Sequence, residues 1–141
     1  MKILVGIDGS LSSMNAAKYA TRLAEQIDGE SLITLISVHD DAALKHFNRY
    51  VPKGVIHDYL RELSEGDLKK SRKFLDKHDI RYNMVIEIGQ PVAKILQVSQ
   101  VEAFELIVLG VKGRSMINDL LLGSVALRVA SASKIPVTLV K

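Results

Sequence analysis

Five short apolar runs punctuate this chain: ILVGI at 3–7, SLITLISV at 31–38, YNMVIEI at 82–88, ELIVL at 105–109 and VTLV at 137–140. Most are continuous rather than alternating. A strand whose side chains are apolar on both faces has no side left for water, so it belongs in a sheet covered above and below. The segments between the runs supply the covers. Ala16, Ala17, Ala20, Leu23, Ala24 and Ile27 recur at helical spacing, and Leu60, Leu63, Leu68, Phe74 and Leu75 do the same within Val55–Lys77. The order β-α-β-α-β-α-β-α-β predicts a parallel sheet with right-handed crossovers and helices on both faces. At 141 residues and 48% hydrophobic, the chain suits one three-layer α/β domain spanning 1–141.

Punctuation residues set the expected boundaries. Ser12 or Ser13 is placed to cap the first helix, and Asp28-Gly29 to end it. His39 to Gly54 reads as an irregular excursion with Pro52 and Gly54 as breakers. Gly66 weakens the second helix by about 1 kcal/mol. Pro91 suits the first turn of a helix over Val92–Val101. A short helix follows over Gly123–Ser131, with Ser124 at or near its N-cap, and Pro136 is tolerated at the start of the last strand.

Charge and composition narrow the function classes. The net charge of +3 is spread, and the Lys/Arg-rich stretch from Lys45 to Arg81 is interleaved with acids, Asp67 among them. It reads as a solvated face rather than a nucleic-acid groove. The chain has no cysteine, which excludes disulfides and thiolate metal sites and fits a reducing compartment. No apolar run approaches the roughly 18 residues of a membrane span, and the run after Met1-Lys2 is too short for a signal peptide. The expected location is the cytoplasm.

Ligands of open parallel sheets bind beyond the carboxyl ends of the strands, where the winding reverses. Three loops qualify: Asp8-Gly9-Ser10, His39-Asp40, and Gly110 to Ser124. In the last, Gly110 and Gly113 permit close backbone approach, and Gly123-Ser124 opens a helix whose first N–H groups have no helical partner. Such a terminus favours a phosphate. Alone, either glycine pair fits a structural turn; together, on the fourth strand, they point to an anionic ligand. The loop matches neither G-x-x-x-x-G-K-[ST] nor G-x-G-x-x-G. Asp8 either contacts the ligand or caps the turn. Lys112 and Arg114 face phosphate or water equally well. Asp119 is a weaker candidate for a magnesium ion. His39 with Asp40 and Asp41 is better explained as a polar loop than as a metal site. His46, His57 and His78 are expected to be exposed, and Met14, Met84 and Met116 to pack or lie in loops.

Gly110-x2-Gly113-x9-Gly123-Ser124, with ILVGIDGS, ISVHD and IPVTLV around it, resembles the universal stress protein family over the whole chain. The resemblance implies a five-stranded parallel sheet in the order 3-2-1-4-5 and adenine nucleotide binding, ATP or AMP, with magnesium as an optional companion. It puts Asp8 beside the adenosine and the backbone of Val38 at the adenine edge. Leu109 leads into Gly110–Gly113, which would hold the ribose and first phosphates with Arg114 alongside. Gly123, Ser124, Val125 and Ala126 would offer donors to the outer phosphates. Gly6 replaces a common proline, and Val111-Lys112 replaces a small hydroxyl followed by His or Arg. The family also pairs its last strand with a second copy, which implies a homodimer through Val137–Val140, unless Lys141 blunts that edge. No convincing general base and no Walker B acid are present. A binding protein in stress response or regulation is therefore favoured over a slow ATP hydrolase, and over a dimerisation module without nucleotide.

Overall fold

The computed structural model describes residues 1–27, 29–113 and 122–141. Its strands are β1 (Lys2–Gly6), β2 (Leu32–His39), β3 (Arg81–Ile88), β4 (Leu106–Gly110) and β5 (Val137–Val140). Between them run α1 (Leu11–Gln26), α2 (Lys53–Leu75), α3 (Pro91–Val101) and α4 (Ser124–Ala132), with a 3-10 segment, Ala42–Arg49, before α2. All neighbouring strands pair in parallel, in the order β3-β2-β1-β4-β5.

The apolar runs are continuous because each strand divides its side chains between two cores. Ile3, Val5, Ile33, Leu35 and Val108 pack toward α1 and α2, against Ala16, Ala17, Ala20, Leu68 and Leu75. Leu4, Ile36, Ile107 and Leu109 pack the other way, against Val92, Ile95 and Val129 of α3 and α4. Ile3, Leu4 and Val5 are fully buried on β1 alone. Each such side chain contributes about 1.5–3 kcal/mol relative to exposure. The alanine face of α1 lets that helix lie close on the sheet, and α2 buries Ile56, Leu60, Leu68 and Leu75 at helical spacing straight through Gly66.

Element ends differ from expectation where several residues compete for one role. Ser10, not Ser12 or Ser13, caps α1; its Oγ accepts the Ser13 N–H at 3.1 Å. The helix ends at Gln26 with Ile27 as its C-cap, Gly29 has φ +108°, and Asp28 lies outside the described residues. Ser124 is the first helical residue of α4, and Gly123 is its N-cap. The strand β2 runs one residue further than expected, to His39. Met84, expected to pack or sit in a loop, is exposed on the edge strand β3. Among the described residues, no helix is long and apolar enough to cross a membrane.

Candidate functional site

The winding reverses between β1 and β4, the two central strands that lead to opposite halves of the sheet. A cavity of about 380 Å³ opens at their carboxyl ends. Ile36, Val38, Pro91 and Ile95 give it an apolar wall, and Asp8, Lys112, Gly113 and the start of α4 give it a polar one. Gly6 and Leu109 also line it. A Cβ on Gly6 would stand 2.5 Å from Leu109 Cδ2, so the leucine occupies the space that a larger residue at 6 would need.

The polar wall is held together by short bonds between distant segments. Asp8 Oδ1 accepts the Ser10 N–H at 3.0 Å, closing the turn that feeds α1. Its other oxygen points at Gly113, where an added Cβ would meet it at 3.2 Å. The Ser12 hydroxyl accepts the Lys112 N–H at 3.3 Å and donates to the Val140 carbonyl at 3.0 Å. That carbonyl also accepts the Val111 N–H at 2.8 Å. Gly110 therefore has a reason to lack a side chain other than ligand approach: a Cβ there would stand 2.6 Å from the Ser12 carbonyl carbon and 2.7 Å from the Ser13 nitrogen.

The start of α4 differs from those of α1 and α3. Side chains cap α1 and α3, through Ser10 and Gln90, whereas Gly123 provides no side-chain cap for α4. The Gly123 N–H itself donates to the Val111 carbonyl at 2.7 Å. Of the expected donors, Gly123 is thus engaged within the loop. Ser124, Val125 and Ala126 occupy the first turn, where N–H groups have no intrahelical acceptor, and all three line the cavity.

The fold brings Gly6, Asp8, Val38, Leu109, Gly110, Gly113, Gly123, Ser124, Val125 and Ala126 to this cavity. Val111 is not among the described lining; its N–H and C=O both bond within the loop's pinch. Arg114, Met116 and Asp119 lie outside the described residues. The sequence reading missed the α3 wall. Pro91 and Ile95 are an i, i+4 pair directly after β3, a spacing equally common on any core-facing helix.

The polar loop expected at His39 is replaced by a partnered residue. His39 ends β2, and its Nε2 lies 2.8 Å from Asp67 Oδ2 of α2, both side chains being 11% exposed. Asp67 is accordingly no part of a solvated face. Asp40 Oδ1 accepts the Ala42 N–H at 2.8 Å, and Asp41 pairs with Lys45 at 3.3 Å. Of the histidines expected to be exposed, His46 is, while His57 and His78 are half-buried, and His78 Nδ1 lies 2.9 Å from Glu25 Oε1. Among the described residues, no three His, Cys, Asp or Glu side chains gather as a metal site.

A family model described as the universal stress protein family matches residues 1–141. The universal stress protein MJ0531 of Methanocaldococcus jannaschii is 31% identical over 140 residues, covering 99% of this chain and 81% of that protein. The solved structure of MJ0577, from the same organism, has a TM-score of 0.83 at 25% identity, covering 99% of this chain and 94% of the other. Two further structures share the fold. A universal stress protein in complex with cAMP has a TM-score of 0.69 at 22% identity, covering 100% of this chain and 97% of its own. One from Archaeoglobus fulgidus in complex with dAMP has 0.67 at 19% identity, covering 100% of this chain and 98% of its own. With a match over its full length and a relative above 30% identity, the chain belongs to the universal stress protein family.

Proposed function

We propose that residues 1–141 form a nucleotide-binding domain whose rim cavity takes an adenine nucleotide, ATP or AMP, and that the protein is a cytoplasmic stress-response or regulatory binding protein. The observation that carries this reading is the start of α4: first-turn amides with no side-chain cap face a cavity whose opposite wall is apolar. Helix-terminal donors suit a phosphate, and an apolar slot suits a flat base. That two proteins of this fold hold cAMP and dAMP supports it.

In this arrangement Ile36, Val38, Pro91 and Ile95 clasp the base, and the Val38 backbone meets its edge. Asp8, in hydrogen-bond range of its own turn, faces the ribose, with Leu109 and Gly110 beneath it. Gly113 leaves the gap through which the chain passes over the first phosphate. Ser124, Val125 and Ala126 donate to the phosphates, and Lys112 adds positive charge. Arg114 joins them by position in the loop. The described residues fit the nucleotide better than a resident metal: Asp8 is the single acid among those lining the cavity. Magnesium would therefore arrive on the phosphates and keep most of its water shell. Binding and regulation, rather than efficient hydrolysis, is the reading this supports.

We further propose a homodimer through β5, which pairs with β4 on one side and is half-buried throughout. Antiparallel pairing with a second copy would protect its other edge. Light scattering at micromolar concentration should give twice the chain mass; a monomer contradicts the dimer. For the nucleotide, calorimetric titration with AMP and ATP should give saturable heat. No heat and no thermal shift at millimolar nucleotide would remove this reading.

A further inference from the structure

One nearly buried polar contact stands behind the site without lining it. His39 closes β2 on the α1–α2 side of the sheet, in the same row as Leu35 and Ser37, while Val38 points into the cavity on the other side. Asp67 reaches it from α2, 28 residues away, at 2.8 Å. A carboxylate that is nearly buried costs several kcal/mol unless a donor compensates it. The imidazole N–H supplies that donor, but an apolar pair would fill the same seam at less risk.

The second Asp67 oxygen explains the choice. It lies against Gly9, where a Cβ would stand 2.6 Å from Oδ1 and 3.6 Å from the Asp67 Cα. Gly9 has φ +79°, a left-handed conformation that side chains resist. It is the middle of the turn whose neighbours are Asp8, in the cavity, and Ser10, whose N–H holds the Asp8 carboxylate. The carboxylate thus fills the space behind the turn while its other oxygen is anchored to the end of β2.

We propose that the His39–Asp67 pair is a positioning device for the ligand site: it fixes the depth of the Asp8–Ser10 turn, and thereby the place of the Asp8 carboxylate in the cavity. This rests on the nucleotide-binding reading of that cavity. Neither residue is in the described lining of the cavity. His78–Glu25 is the natural control, a pair of the same chemistry at 2.9 Å whose side chains are 30% and 44% exposed, away from any described cavity lining.

The test uses the full chain, isotopically labelled, with AMP as the probe. Asp67→Asn keeps the shape and weakens the anchor; His39→Gln keeps a donor and serves if the first variant folds poorly. Asp67→Asn should shift the Gly9 and Ser10 amide resonances without nucleotide and weaken AMP binding roughly tenfold, the effect of one hydrogen bond to a charged group. His39→Gln should lie closer to wild type than His39→Leu. Glu25→Gln should leave both readouts unchanged. Unmoved turn amides in Asp67→Asn, or AMP affinity within about twofold of wild type, overturn the proposal. If the wild type itself does not bind AMP, the nucleotide reading falls, and the turn amides alone decide whether the pair positions Asp8.

Discussion

At the carboxyl ends of β1 and β4 and in the turn after β1, a Cβ on Gly6, Gly9 or Gly110 would come within 2.5–2.6 Å of an existing atom, whereas nothing lies within 4 Å of such an atom on Gly29, at the opposite rim, or on Gly66, midway along α2. The two histidine–carboxylate pairs divide the same way: His39–Asp67 is nearly buried, and His78–Glu25 is half in water. At one rim, backbone closes on Gly110 and side chains close on Gly6 and Gly9; at the other, the chain has merely turned around. Turning needs only permissive residues. Close approach needs a specific residue on each side, and such tolerances gather where a ligand must be met by main-chain atoms.

Gly110→Ala should break this contrast most strongly. The new methyl would strike the Ser12 backbone, which has no flexible end to move aside. We expect a loss of about 1–3 kcal/mol and the disappearance of AMP binding. Thermal unfolding unchanged from wild type would mean that α1 does not press on β4. Next comes Ser12→Ala, which removes the hydroxyl bridging Lys112 and Val140; the Lys112 N–H loses its Ser12 acceptor, while the Val140 carbonyl keeps the Val111 N–H. The expected cost is about 1 kcal/mol, read by denaturant titration, with a further weakening of AMP binding. Gly66→Ala should move the other way. It sits in α2 with open space around it, so the substitution should add about 0.5–1 kcal/mol and leave AMP affinity alone. A loss of stability there would show that α2 is packed more tightly than its contacts indicate.

The smallest effect belongs to the quiet rim. The Tyr82 hydroxyl donates to Asp76, and that bond, followed by desolvation and the carboxylate's charge, raises the tyrosine pKa above its ordinary value of about 10. A raised folded-state value means the contribution is complete below pH 10 and fades as pH climbs through the folded pKa. Tyr82→Phe should cost a few tenths of a kcal/mol at pH 7, the pair being near the surface, and the gap from wild type should close in strong alkali.

Much of the scaffold was legible because burial on both faces leaves a mark in composition. The five runs locate the strands within a residue or two, and their alternation with helical segments dictates a parallel sheet. Strand order required the family resemblance, since periodicity says which face is buried and not which neighbour is paired. At the site, the Gly110–Ser124 spacing marked the loop and left Gly110 open to a turn or a ligand, without showing what packs against Gly110. Its missing Cβ makes room for Ser12, a residue 98 positions earlier whose approach depends on how α1 docks. The cap of α1 was ambiguous because three serines within four residues offer the same chemistry. Pro91 and Ile95 were invisible as a wall because core-facing helices carry the same spacing. His39 and Asp67 each looked like loop and surface polarity until the seam between β2 and α2 brought them together.

The central claim is that the first turn of α4 and the apolar wall opposite it hold one adenine nucleotide. Titrating AMP into isotopically labelled protein and following every amide tests it most directly. The account predicts the largest movements at Gly113, Ser124, Val125 and Ala126, with Val38 moving alongside and the Leu32 and Tyr82 amides at the far rim staying still. Amides of α4 that hold their positions at millimolar AMP, or a stronger response elsewhere on the protein, would contradict it.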